Sequence, residues 1–520
     1  MGMYLNPGPG LFKQSLRSLL YVDKTALAGR LNHVIGTDQK YVCVSRPRRF
    51  GKTMAGNMLT AYYGRTCDSR EIFEGLAVGS DPTFEEHLNK YDVFRLNVQD
   101  FFREGVSAED AIARLQARLS HEVVTAYPDI SFFDTTVLSE VLGDAYAHTN
   151  TPFVFVVDEW DCVFRVHKED GAAQKLYLDF VRDLFKDREY VALAYMTGIL
   201  PIKKYGQHSA LNMFTEVSML DAVPYSDQTG FTEEEIDAIC RDYHMDRAGM
   251  AQWYDGYNVD GISLYNPKSV VEATVIRGRF GDYWTRTETF EALRAYIVMD
   301  FDGLREKVVR LVADEQVSIN TVTFQNDMTS MASADDVLTL LVHLGYLTYD
   351  RARGTVRIPN KEVREEFVAC IQAGGWDEVA AAIQASKELV QALLDGDAER
   401  VAQGVAKAHR ENASILTFND ENSLACVLSL AFYTARATYF MRRELPAGKG
   451  YADLVLEPRP GTGAVPVVIE LKADGTPEEA IAQIRERCYT EGLAAPEQAL
   501  LAGITYDRAS KEHACRIERA

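Results

Sequence analysis

Residues 43 to 53 read Cys-Val-Ser-Arg-Pro-Arg-Arg-Phe-Gly-Lys-Thr, and the last three are the residue types a phosphate cradle needs. A glycine lets the backbone turn beneath the phosphates, a lysine reaches the outer ones, and a hydroxyl serves magnesium. Gly51, Lys52 and Thr53 supply these in order, and Arg46, Pro47, Arg48, Arg49 and Phe50 complete the loop. The common pattern has another glycine five positions before Gly51, where this chain has Arg46. The competing reading is a basic loop that caps a helix. Further on, Phe153-Val-Phe-Val-Val157 is an apolar, β-branched run ending in Asp158-Glu159. Such a run reads as a parallel strand buried on both faces. At its end Asp158 is expected to face the magnesium shell and Glu159 to polarise an attacking water. A third run, Tyr190 to Met196, ends in Thr197-Gly198, where Thr197 is placed to sense a γ-phosphate.

A second constellation lies near the carboxyl terminus. Ala452-Asp-Leu-Val-Leu456 and Pro466-Val-Val-Ile-Glu-Leu-Lys472 read as strands joined by a Pro/Gly turn over 458–463. The hairpin brings Asp453 and Glu470 together, and Glu470 and Lys472, two residues apart, share a strand face. Two carboxylates hold a divalent cation, Mg2+ or Mn2+, through oxygen, and a lysine orients or activates the water that attacks a phosphodiester. Glu421, on a helix expected over 421–437, adds a carboxylate, and Gln483 and Tyr489 on the following helix steady the site or its substrate. A bare Glu-x-Lys also reads as a cross-strand ion pair.

Positioning these groups requires a scaffold. Strand-like runs at 41–45, 92–97, 153–157 and 190–196 alternate with amphipathic helical stretches such as 110–119 and 176–184. Residues 1–285 therefore read as an α/β domain, a parallel sheet with helices on both faces. Thr232 before three glutamates marks a helix start, and Tyr265-Asn-Pro267 a turn into another helix. Residues 286–410 read as mostly helical, with a helix and strand over 338–349, a turn Arg351-Ala-Arg-Gly354, and a strand Thr355-Val-Arg-Ile-Pro359. That order suggests a winged-helix-like module, serving as a protein joint in acidic surroundings rather than a nucleic-acid contact. Residues 411–520 form the third part.

Composition narrows the function classes. A net charge of −21 and a pI near 5.0 exclude a general polyanion binder, which needs cations to displace counterions. The basic cluster Arg46, Arg48, Arg49 and Lys52 is taken by the nucleotide, leaving Lys203-Lys204 and Arg442-Arg443 as surface candidates. No apolar stretch approaches the ~18 residues of a membrane span, and the amino terminus lacks a basic region followed by an apolar one. A cytoplasmic protein without membrane contact is expected. The eight cysteines are scattered without a Cys-x-x-Cys pair, which argues against a zinc site or disulfide framework.

Taken together, Tyr4-Leu-Asn-Pro-Gly8, Tyr21-Val-Asp-Lys-Thr25, Arg46 to Thr53, Asp158-Glu159, Thr197-Gly-Ile199, Gly230-Phe-Thr232, Trp253-Tyr254, Gly256-Tyr257 and Tyr265-Asn-Pro267 carry a resemblance. Over nearly its full length the chain resembles bacterial proteins that pair an AAA-ATPase-like domain with a carboxyl-terminal PD-(D/E)XK nuclease-like domain. The resemblance implies a P-loop NTPase sheet, ATP and Mg2+ as cofactors, and Arg46 as part of the family's own loop. It places Asp453, Glu470 and Lys472 on the nuclease motif, with Glu421, Gln483 and Tyr489 as accessory positions. Relatives often carry an arginine soon after the Thr-Gly-Ile turn, whereas this chain has Leu200-Pro-Ile-Lys-Lys204. The expected function is an Mg-dependent ATPase coupled to a metal-dependent nuclease acting on nucleic acid, DNA ahead of RNA, in defence or mobile-element biology. ATPases of this kind often form homo-oligomers. The alternative is a nucleotide-dependent assembly switch or scaffold with an inert nuclease-like domain, which the acidic charge favours.

Overall fold

Five segments pair side by side, all parallel: β1 (Tyr41–Ser45), β2 (Asp92–Asn97), β3 (Phe153–Asp158), β4 (Val191–Gly198) and β5 (Thr215–Val217). The computed structural model describes residues 2–520 apart from 203–210, 286–289, 298, 300, 302, 313, 326–330, 374–376, 413–427, 429–430, 448–449, 461, 492 and 494. Strand order is β2-β3-β4-β1-β5, so the chain leaves β1 for the far edge and returns through β4 to lie beside it. β1, β3 and β4 are buried along their whole length, as their unbroken apolar runs require. β5 escapes such reading because Thr-Glu-Val is short and only its valine is buried.

The register sets the site. Ser45 pairs with Gly198, Val157 with Met196, and Asn97 with Asp158, so the phosphate loop, Asp158 and Thr197 all emerge at the carboxyl edge of the sheet. In open parallel sheets ligands bind there, where the strand order reverses. Behind the sheet, the helices Ala108–Ala126 and Gly171–Phe185 bury Ile112, Leu115, Leu119, Tyr177, Leu178 and Val181.

Beyond β5, the strands β6 (Phe231–Thr232), β7 (Tyr257–Val259) and β8 (Ile262–Tyr265) form a small antiparallel sheet. Thr232 and Glu235 form a capping box on the helix Glu233–Asp242, and Asn266 caps Pro267–Val275 with Pro267 in its first turn. The helix Ala334–Leu344 stops at Gly345, left-handed at φ 89°, and leads into β10 (Thr348–Asp350). β10 pairs antiparallel with β11 (Thr355–Arg357), and β9 (Val317–Ser318) adds a third strand. The helix, strand, turn and strand read from the sequence are present, with β9 as a further strand.

The chain divides into two compact units, Met1–Lys307 with Gln316–Arg364, and Val308–Glu315 with Glu365–Ala520. The stretch 286–410 is thus shared between them. In the second unit, β12 (Tyr439–Ala447), β13 (Gly450–Pro458), β14 (Val467–Ala473), β15 (Leu500–Tyr506) and β16 (His513–Arg519) lie in sequential order. Only β14 and β15 run parallel, bridged by the helix Pro477–Glu486 with its Thr476/Glu479 capping box. Leu456, Ile469, Leu471 and Ile504 pack in one core with Leu389, Leu393, Val401 and Val405 of the helices Asp377–Asp395 and Ala398–Asn412. Val455, Val468 and Leu501 point the other way, into a core with Ile481, Ile484 and Tyr489. The expected boundary at residue 410 falls inside the first of these cores.

Candidate nucleotide and nuclease-like sites

Gly51 closes the loop in the left-handed conformation, φ 88°, and caps the helix Lys52–Tyr63. A Cβ there would meet nothing within 4 Å, so backbone conformation and not space selects glycine. The first N–H groups of that helix face the loop and favour an anion. Lys52 is buried, and its Nζ donates to the carbonyls of Arg46 and Pro47 at 2.8 Å each, arching the loop over its own lysine. Burial pushes the Lys52 ammonium below its ordinary value, against the pull of Glu159, Asp161 and Asp158.

Arg46 lies in the interior, fully buried, with Nε donating to Thr229 Oγ1 at 2.8 Å and Nη1 to the carbonyls of Ser45 and Val217. Burial pulls its pKa down to about 10. It fastens the end of β1 to β5. A cavity of about 620 Å³ opens on the other side, lined by Arg48, Arg49, Phe50, Gly51, Lys52, Thr53 and Glu159. Arg46, Pro47, Asp158 and Thr197 are not among its lining residues. Phe12, Leu20, Tyr21, Val22, Phe231 and Pro267 add apolar surface to the lining.

Asp158 accepts from Thr197 Oγ1 at 2.6 Å, from Arg95 Nη2 at 3.0 Å and from the Glu159 N–H at 3.1 Å, and also bonds the Thr53 side chain. Burial raises its pKa, but Arg95, Thr197 and Thr53 outweigh that and hold the carboxyl below its usual range. Thr53, Asp158 and Thr197 therefore form one connected set, an oxygen-rich corner that fits a hard divalent cation. Glu159 takes a left-handed backbone, φ 52°, uncommon without glycine, and pairs with Arg165. Asp161 is buried and accepts from the N–H groups of Ile199 and Leu200 at 3.1 and 2.9 Å, clamping the turn after β4. Gly198 is needed there, because a Cβ would lie 2.7 Å from Asp161 and Trp160.

Sequence reasoning missed Arg95, Arg165 and Asp161. Arg95 carried a signal, being a lone cation inside the apolar strand Asp92–Asn97; it also donates to Asn57 at 3.2 Å. Arg165, on the short helix Cys162–Val166, carried none. Lys203 and Lys204 lie outside the described residues, as does Glu421. Arg442 pairs with Glu457 at 2.8 Å.

In the second unit, Asp453 on β13 accepts from the Leu471 N–H at 2.8 Å, between Glu470 and Lys472. Glu470 is buried and takes a hydrogen bond from Gln483 Nε2, which lies 3.4 Å from the Tyr489 hydroxyl. Lys472 Nζ stands 3.8 Å from Glu470 Oε1. Glu470, Lys472, Gln483 and Tyr489 thus converge, with Asp453 on the intervening backbone. Tyr489 comes from just past the helix Pro477–Glu486 rather than from within it. The described residues contain no cluster of three or more His, Cys, Asp or Glu side chains arranged to hold a metal. The oxygen donors of Asp453 and Glu470 match a hard divalent cation in type.

The first unit is a P-loop NTPase fold and the second carries a nuclease-like mixed sheet. Residues 13–207 match the AAA-ATPase-like family, described as "Predicted AAA-ATPase", and 419–513 match the PD-(D/E)XK nuclease superfamily. In these two stretches the chain is similar to those families. A curated relative, an "Uncharacterized protein in vnfD 5'region" of Azotobacter chroococcum mcd 1, is 26% identical over 395 residues, 72% of this chain and 71% of its own. Among solved structures, the Aeropyrum pernix ORC2 protein aligns at 14% identity and a TM-score of 0.30, over 68% of this chain and 97% of that one. The Thermotoga maritima RuvB Holliday junction branch migration motor aligns at 13% and 0.24, over 66% and 92%. No described helix is long and apolar enough to cross a membrane.

Proposed function

We propose that this chain is a cytoplasmic, Mg-dependent ATPase whose nucleotide state controls a metal-dependent phosphodiesterase acting on nucleic acid, DNA ahead of RNA. The observation that carries the reading is the connected set Thr53, Asp158 and Thr197, with Lys52 and Glu159 beside it at the carboxyl ends of adjacent parallel strands. Lys52, with Arg48 and Arg49 on the cavity wall, binds and orients the phosphates, and the helix N–H groups behind Gly51 favour their charge. Magnesium, when bound, neutralises charge on the β- and γ-oxygens; Thr53 and Asp158 would hold it. Glu159 accepts a proton from the attacking water. In the second unit, Asp453 and Glu470 would hold the cation, Lys472 orients the water, and Gln483 fixes Glu470.

The test is cleavage of single-stranded, duplex and circular DNA and of RNA, with Mg2+ or Mn2+, with and without ATP, by wild type and Asp453→Ala. Cleavage that depends on Asp453 and responds to ATP supports the reading and names the substrate. Intact ATP hydrolysis without cleavage under any condition replaces it with an assembly switch carrying an inert nuclease-like domain, which the net charge of −21 favours.

A further inference from the structure

Arg165 follows Glu159 on the short helix Cys162–Val166 and turns back toward the end of β3. Its Nη2 pairs with the Glu159 carboxylate and stands 3.9 Å from Asp161 Oδ1. Its Nε is buried and has no hydrogen-bond partner among the described residues. A guanidinium offers a rigid fork of N–H donors that matches carboxylate and phosphate oxygens alike. Arg165 lines the same cavity as Lys52, Thr53 and Glu159, and also borders a neighbouring hollow with Gln99, Phe102, Arg103 and Glu104. The side chain therefore holds a carboxylate while sharing a cavity wall with Lys52 and Thr53. Arg165 is thus one of several cations on the cavity wall, with Lys52, Arg48 and Arg49, and is ion-paired with Glu159 through its guanidinium.

We propose that Arg165 reads the terminal phosphate of a nucleoside triphosphate: it holds Glu159 while that phosphate is absent, and transfers its donors to the phosphate oxygens when it is present. The exchange frees Glu159 to meet water only when a triphosphate occupies the site. A diphosphate lacks the group for which the guanidinium would exchange Glu159. This inference rests on the nucleotide reading above. It makes Arg165 a residue that selects triphosphate over diphosphate, distinct from Lys52, which binds both.

Equilibrium binding of ADP and of a non-hydrolysable ATP analogue, both with Mg2+, to the full chain separates the possibilities. Arg165→Ala should bind ADP within about twofold of wild type and the triphosphate about tenfold more weakly, with Arg165→Lys between them. Glu159→Gln loosens the competing ion pair, so it should tighten triphosphate binding, and that gain should vanish in the Glu159→Gln, Arg165→Ala double variant. Equal loss for both nucleotides in Arg165→Ala, or no triphosphate gain in Glu159→Gln, overturns the proposal. Should Arg165→Ala fail to fold by circular dichroism, Arg165→Lys and Glu159→Gln decide alone. If wild type binds neither nucleotide, the nucleotide reading falls and this inference with it; if wild type binds both while these variants change nothing, only the inference falls.

Discussion

Lys52 already holds the carbonyls of Arg46 and Pro47, so its replacement has two effects that separate experimentally. Lys52→Ala removes the cation for the phosphates and should abolish ATP binding in a calorimetric titration. It also leaves buried carbonyls without a donor, which costs about 1–3 kcal/mol and should appear as a lower Tm. Glu159→Gln keeps the shape of the side chain but not its basicity. Hydrolysis should slow about 10²–10⁴-fold with ADP affinity retained; unchanged turnover would remove Glu159 from the chemistry. In the second unit, Lys472→Ala should abolish cleavage and spare ATP turnover, so equal loss of both would mark a folding defect instead.

The phosphate loop is held from behind by elements distant in sequence. Trp284 donates its indole N–H to the Arg48 carbonyl at 3.0 Å, while its own backbone N–H and that of Tyr283 donate to Glu362 at 2.6 Å. Glu362, at the start of the helix Lys361–Ala373, also accepts from Ser269 Oγ at 2.7 Å. Burial pushes the Glu362 carboxyl up to about 7, more than these donors lower it. With its folded pKa above the unfolded value, the folded state keeps the proton that the unfolded chain has lost between roughly pH 4.5 and 7. Stability should therefore fall as pH rises through that window, by on the order of 3 kcal/mol at most. Glu362→Gln should flatten the slope in urea melts across pH 5 to 8, and an unchanged slope would assign it to another group. The same distance between partners explains what the sequence left unread. β1, β3 and β4 were legible because a strand buried on both faces must be apolar throughout. β12, with Arg442 exposed, and β16, with alternating charges, are edge strands whose solvent face masks the pattern. β15, Leu-Leu-Ala-Gly-Ile-Thr-Tyr, carried the apolar signal and still went unread. Gly51, Lys52, Thr53, Asp158 and Glu159 were legible as motifs because their spacing is local. Arg95 reaches Asp158 only across paired strands, and no periodicity reports that.

At the scale of the whole molecule, the second unit is larger than the stretch its nuclease-like sequence occupies. Leu389, Leu393, Val401 and Val405 lie upstream of residue 411 and are buried against the sheet. Each contributes about 1.5–3 kcal/mol through burial. A fragment of residues 411–520 should therefore melt without cooperativity, whereas 365–520 should show a defined denaturant transition; equal transitions would discount the helices. Even the longer fragment lacks Val308–Glu315, whose Asp314 pairs with Arg459 and whose Glu315 lies 3.6 Å from Arg436. That segment leaves the ribosome before Gln316–Arg364, which returns to the first unit, and long before Arg436 and Arg459 exist. Translation therefore completes the first unit while a piece of the second waits for its partners, and the second unit can finish assembling only after its last strand, His513–Arg519, has emerged.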